Sequence, residues 1–289
     1  MMRVLIAGGT GLIGRALSAD LASGGHEVVV LSRSPQRARD RVSAGVRVVG
    51  WDARTAKGWG HLADGAAAIV NLAGANLAGQ GFLPRRWTNQ RKRLIRDSRV
   101  QAGQAVVEAV EGAVQKPGVV IQASGVGYYG FRGDEPVAED GDPGDDFLAR
   151  LARDEWEPST APVEEMGVRR VIIRSGAVLD AKEGALPRLV LLARLFVGPM
   201  GSGRQWLSWI HRTDEVRAIR TLIEDSTARG AFNLVAPEPL SNAQFARALG
   251  RVLRWPNVIP VPAFAMRIAF GEVTDVLLEG QRAVPQRLL

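Results

Sequence analysis

The chain has 289 residues, 46% of them hydrophobic and 23% charged, which suits one large globular domain or a large and a small one and excludes a disordered or fibrous protein. It has no cysteine, so disulfides, thiolate metal sites and cysteine nucleophiles are excluded, and its best apolar run, Leu189 to Val197, carries Arg194 and is too short for a membrane span. The formal charge of +7 points to an anionic cofactor with surface charge, and nucleic acid is not the expected partner.

In chain order, Arg3 to Ala7 predicts a buried strand and Leu12 to Leu21 a helix that Gly24-Gly25 stops. A first strand here, in place of a secretory signal, makes the cytoplasm the expected location. Glu27 to Leu31, Val46 to Val49 and Ala68 to Leu72 repeat the short apolar strand seen when helices cover both faces of a sheet. A long helix is predicted from about Thr88 to Glu111, with Arg91-Lys92-Arg93, Arg96 and Arg99 as a mostly solvated face, and the strand Val119 to Ala123 follows. The acidic, Gly- and Pro-rich stretch Asp134 to Asp146 predicts a surface loop before a helix from Asp146 to Glu157 and the strand Arg170 to Arg174. This alternation predicts an α/β protein with a Rossmann-type doubly wound parallel sheet.

The later segments change character. Leu186 to Phe196 is predicted helical, Trp206 to Ile210 extended, and Thr213 caps a helix containing Val216, Ile219, Leu222 and Ile223. Ala231 to Val235 predicts a strand, and Ser241 with Gln244 a capping box opening a helix through Leu253. Pro256, Pro260 and Pro262 break the chain before two short helices, Ala263 to Phe270 and Glu272 to Gly280. The expected division is a nucleotide-binding domain over 1–235, with substrate-region insertions after about 175, and a small helical lobe over 236–289.

The chemistry begins at Gly8-Gly9-Thr10-Gly11-Leu12-Ile13-Gly14, between the first strand and the first helix. Gly8, Gly11 and Gly14 supply in turn the tight bend, the close approach of a pyrophosphate to backbone N–H groups, and helix–sheet packing. The second strand ends in Ser32-Arg33-Ser34, where an NAD site places an acid for the ribose hydroxyls. A guanidinium there suits a 2′-phosphate, so the cofactor is read as NADP(H), held by Gly8, Thr10, Gly11, Leu12, Ile13, Gly14, Ser32 and Arg33. Leu72, Ala73 and Gly74, after the strand ending at Asn71, leave room for the same ligand.

These segments, with Gly125-Val126-Gly127-Tyr128-Tyr129-Gly130, resemble the extended short-chain dehydrogenase/reductase superfamily. Gly201 to His211, Phe232 to Pro237 and Val261 to Phe264 resemble its atypical "epimerase family protein" branch over nearly the whole chain. The resemblance implies an oxidoreductase or nucleotide-sugar-epimerase-like activity on a small molecule. It also implies a C-terminal lobe that continues beyond Gly280-Gln281-Arg282 for longer than Leu289 allows.

The superfamily's Tyr-x-x-x-Lys pair is missing. The only tyrosines are Tyr128 and Tyr129, lysine occurs only at Lys57, Lys92, Lys116 and Lys182, and the helix that should carry the pair reads Phe147 and Leu151. Ser124, or Gly125 if the register slips by one, occupies the place of the superfamily's catalytic hydroxyl. The candidate catalytic residues are therefore Ser124, Tyr128 and Tyr129, and His211 is read as fixing its own segment. No metal site is expected. The competing reading is an NADP(H)-binding sensor or scaffold without turnover, acting as a monomer or homodimer.

Overall fold

The computed structural model describes residues 1–79, 81, 83–194, 197–255 and 259–289. Seven strands make one sheet: β1 (Arg3–Ala7), β2 (Glu27–Ser32), β3 (Arg47–Gly50), β4 (Ala68–Asn71), β5 (Val119–Gly125), β6 (Arg169–Ser175) and β7 (Gly230–Leu234). Their order is β7-β6-β5-β4-β1-β2-β3 and every pair is parallel. The chain leaves β1 toward β2 and β3, then crosses back to β4. The loops after β1 and β4 therefore diverge at the carboxyl edge of the sheet, where α/β proteins hold their ligands.

Strands β1, β2, β4 and β5 are buried on both faces, which is why they read as mostly apolar runs. Val4, Ile6, Val28, Val30, Ile121 and Val171 pack in one layer under α1 (Leu12–Ser23) and a later helix. Leu5, Val29, Ile69 and Val120 face the other layer, against Ala102, Ala105 and Val106 of α2 (Asn89–Gly112). Each such side chain contributes roughly 1.5–3 kcal/mol by leaving water, so a charge at Ile6 or Val120 would break the layer it enters.

A smaller, more helical C-terminal region contains Asn242–Leu253 and Ala263–Phe270. The Ser241–Gln244 capping box forms as expected. The last strand, Arg282–Ala283, returns to pair with Pro136–Val137. Gly280 makes that return possible, since a Cβ there would lie 2.1 Å from the carbonyl oxygen of Trp206.

Several expectations are corrected in detail. The helix after β6's crossover, Arg212–Glu224, is capped by His211, whose Nδ1 accepts from the Thr213 N–H, and not by Thr213. Glu272 to Gly280 is not one helix: a 3₁₀ turn, Gly271–Thr274, precedes the α-turn Asp275–Leu278, with Thr274 Oγ1 donating back to the Gly271 carbonyl. The helix expected from Asp146 to Glu157 forms but changes type partway. After α3 (Phe147–Leu151) the chain widens into a π-helical turn, Ala152–Trp156, closed by the Glu157 N–H on the Ala152 carbonyl at 3.0 Å. Pro158, next in line, has no N–H to continue the ladder. Leu195, Phe196 and Pro256 lie outside the described residues.

Candidate functional site

The turn after β1 fits a phosphate cradle in its backbone. Gly8 has φ +77°, and a Cβ there would stand 2.7 Å from the Leu72 carbonyl carbon. A Cβ on Gly14 would stand 2.5 Å from the Cα of Gly9. Thus the turn after β1 presses directly on the loop after β4, and α1 presses on the turn. The sequence residues Gly8 to Gly14 and Leu72 to Gly74 are brought together.

The N-terminus of α1 is open. Its N-cap is Gly11, no side chain caps it, and its first turn holds no acid. The first N–H groups of a helix have no helical acceptor and carry the positive end of its dipole, so an anion is the natural partner there.

At the end of β2, Ser32 is buried and its Oγ accepts from the Ser34 N–H at 3.2 Å. Arg33 is exposed, and among the described residues its guanidinium has no hydrogen bond or ion pair. A free cation beside an uncapped helix start is a donor set suited to phosphate.

A second cation lies at the post-β4 loop. Arg99 of α2 is 7% exposed, donates to the carbonyls of Ala75 and Ile95, and stacks 4.6 Å above the Trp156 ring. Its carbon Cζ would lie 3.1 Å from a Cβ on Gly74. No carboxylate pairs with it among the described residues, and burial, with Arg91 nearby, pushes its pKa down to about 10. Composition placed Arg99 on a solvated face. It is instead buried, because it sits one turn after Ile95 on the stripe that faces the loop.

The candidate catalytic residues also converge, but on partners far away in sequence. Ser124 Oγ donates to Glu157 Oε1 at 2.6 Å. Arg174 grips the same carboxylate twice, Nε to Oε1 and Nη2 to Oε2, both at 3.0 Å. The Arg174 guanidinium lies 3.4 Å from the centroid of the Tyr128 ring and donates to Tyr129 Oη at 3.1 Å, while that hydroxyl donates to Asn233 Oδ1 at 2.7 Å. Tyr129 is wholly buried, and burial raises its pKa against the pull of Arg174. Burial works against the charge on Arg174, but the bonds to Glu157 outweigh it and hold that charge firmly. Tyr128 is only half-buried, and its hydroxyl has no partner among the described residues. The cation beside both phenols is therefore an arginine. The π-helical turn is what aims Glu157 into this cluster, a common use of such turns.

Phe147 packs edge-on against Trp87, with Lys92 Nζ 5.0 Å from its ring centroid. Lys92 is itself paired with Glu272 of the C-terminal region. Gln205 and Trp206 line a cleft with Phe131, Arg132, Asp134 and Leu278, and Trp209 is not among its walls.

Comparison with known proteins decides the family. The model of the NAD dependent epimerase/dehydratase family matches residues 4–149, and that of a domain of unknown function matches residues 261–289. An epimerase family protein of Mycobacterium tuberculosis is 39% identical over 289 residues, covering 99% of this chain and 90% of its own.

This chain belongs to the NAD-dependent epimerase/dehydratase family.

Within this family, an epimerase family protein of Bacillus subtilis is 36% identical over 299 residues, covering 100% of this chain and 92% of its own. The crystal structure of the human epimerase family protein SDR39U1 with NADPH is 35% identical, with a TM-score of 0.87 over 99% of this chain and 92% of that one. The Rossmann sheet is accordingly a dinucleotide-binding one, and the 261–289 match coincides with the strand and helices that close the C-terminal region. Among the described residues no helix is long and apolar enough to cross a membrane.

Proposed function

We propose that this epimerase-family chain is an NADP(H)-dependent oxidoreductase or epimerase-like enzyme acting on a small molecule. The observation that carries NADP(H) is Arg33, an exposed guanidinium, unpaired among the described residues, at the end of β2 where an NAD site holds an acid. The human relative's complex with NADPH supports it. In this reading Gly8, Thr10, Gly11, Leu12, Ile13 and Gly14 hold the pyrophosphate, Ser32 and Arg33 the 2′-phosphate, and Leu72, Ala73 and Gly74 the middle of the ligand. Arg99 adds fixed positive charge under the post-β4 loop. The bound cofactor would supply a hydride acceptor or donor.

Titration calorimetry should show NADPH bound more tightly than NADH. Arg33→Ala should cost NADPH ten-fold or more in affinity, since hydrogen bonds to a charged group contribute about 1.5–3 kcal/mol, and leave NADH nearly unchanged. Equal affinities in the unchanged protein would reject the assignment.

The proton chemistry falls to Tyr128. Tyr129 has its hydroxyl committed on both sides and Ser124 gives its own to Glu157, so both position the cluster, while the Tyr128 hydroxyl is free among the described residues. Arg174 supplies the cation that Leu151 cannot. With a substrate in hand, Tyr128→Phe should slow hydride transfer about 10²-fold or more, the usual worth of a general acid, and move NADPH affinity less than two-fold or so. An unchanged rate would remove Tyr128 from the chemistry. The second reading, a sensor or scaffold without turnover, rests on Phe147 and Leu151 standing where the pair belongs. It predicts tight NADPH binding with no hydride transfer to any carbonyl or nucleotide-sugar substrate tried.

A further inference from the structure

One buried acid plays no part in the site described above. Glu215, in the first turn of α4 (Arg212–Glu224), is 0% exposed and stands in the apolar layer beside Val216 and Ile219. One carboxyl oxygen accepts from Ser175 Oγ at 2.6 Å, and the other is buried without a partner among the described residues. A leucine would pack more favourably in such a layer, because an unpaired buried polar atom is a net loss to the fold. Its presence there asks for a use.

Among the described residues no cation pairs with Glu215: Arg169, on the same face of β6, sits at the far end of α4 and donates to the Leu222 and Ile223 carbonyls. Arg212 pairs with Asp180 and Asp214 with Arg217; on α1, Arg15 pairs with Glu183 and Asp20 with Arg220. Arg174 is on the opposite face of β6, bound to Glu157. Burial pushes the Glu215 carboxyl up to about 8, with the bond from Ser175 pulling the other way and no ion contributing.

The location gives the use. Ser175 ends β6 at the ligand-bearing edge and pairs in register with Gly125 of β5. It follows Val171 and Ile173 in the strand's alternation, so its side chain turns toward α1 and α4. If Arg33 holds the adenosine end over β2 and the glycine turn holds the pyrophosphate, the nicotinamide end must lie on the other side of the switch point, over β4 to β6.

We propose that Glu215 and Ser175 form a proton-linked site beneath the nicotinamide end of the crevice, which releases a proton when the oxidised, positively charged ring binds and keeps it when the reduced, neutral ring binds. The coupling is electrostatic and rests on the cofactor reading above. A cation placed one hydroxyl away from a buried carboxyl stabilises the carboxylate, and in a water-poor cleft the attraction is poorly screened. The proton leaves to solvent, no bond other than O–H is broken, and by linkage NADP⁺ affinity rises with pH while NADPH affinity does not.

The test needs no substrate. Calorimetry of the full chain with NADP⁺ and with NADPH, from about pH 6.5 to about pH 9 and in buffers of different ionisation heat, separates the two. The 2′-phosphate titrates alike in both nucleotides and cancels in their ratio. NADP⁺ should gain on NADPH on the order of ten-fold across that range, with proton release near neutrality for NADP⁺ alone. Glu215→Gln should flatten the ratio, and Ser175→Ala should weaken its slope. A flat ratio in the unchanged protein, or an undiminished slope in Glu215→Gln, overturns the proposal while leaving the cofactor assignment standing. Failure of either nucleotide to bind overturns both.

Discussion

Glu157→Ala is expected to destabilise the fold by about 3–5 kcal/mol, the range for breaking a buried ion pair from one side. Arg174 and Glu157 are 5% and 6% exposed, so removing the carboxylate leaves a guanidinium in the interior with two charge-assisted bonds lost. The remaining bonds from Arg174, to Tyr129 Oη and the Glu139 carbonyl, do not neutralise it. Ser124 loses its acceptor as well. Two comparisons make the result specific. Glu155, two residues earlier, pairs with Arg96 at the surface, and Glu155→Ala should cost no more than about 1 kcal/mol. The double change Glu157→Leu with Arg174→Met removes both charges together and should recover much of the loss. Urea unfolding of the four proteins measures all of this, and a loss under about 1 kcal/mol for Glu157→Ala would mean that water reaches the guanidinium.

This cluster marks the limit of what could be read without the fold. The strands were legible because a sheet covered on both faces needs unbroken apolar runs, and Val28 to Leu31 is one. The phosphate turn was legible because its demands are local: Gly8 must take a positive φ and Gly14 must let two backbones touch, and both lie within seven residues. Ser124, Tyr128 and Tyr129 could be picked out as a group, but their partners could not. Glu157 is 33 residues from Ser124, Arg174 is 17 from Glu157, and Asn233 is 104 from Tyr129. Only the parallel register of β5, β6 and β7 puts them together. The π-helical turn that delivers Glu157 has no sequence signature beyond Pro158 behind it. Arg99 was hidden for another reason: in a run of cations on one helix, charge pattern alone does not say which one turns inward. Glu215 stands beside Asp214 in the first turn of its helix, where sequence alone does not separate a buried acid from a solvated one.

Glu215 should also make the fold less stable as pH rises. Its carboxyl ionises near the ordinary value of 4.5 in the unfolded chain and is held up to about 8 in the folded one, first by burial. Between those values the unfolded chain gives up the proton while the folded chain keeps it, so ionisation favours unfolding. The penalty is absent below the unfolded value, grows through the interval and is complete above the folded one. At 1.36 kcal/mol per unit the complete penalty is roughly 5 kcal/mol. Other groups titrate over the same range, so the informative quantity is the difference between Glu215→Gln and the unchanged protein. The amide leaves its own NH₂ without a partner, which lowers its stability by a pH-independent amount of about 1–3 kcal/mol. Against that constant offset, the variant should gain on the unchanged protein by up to about 4 kcal/mol between about pH 5 and about pH 9. Ser175→Ala sharpens the test, because it deletes the one hydrogen bond that favours the carboxylate. Its own stability should therefore fall with pH at least as steeply as that of the unchanged protein, and over a range extending higher. Parallel pH profiles for Glu215→Gln and the unchanged protein would show that the carboxyl ionises freely in the fold, through a local opening that lets water in between α4 and β6.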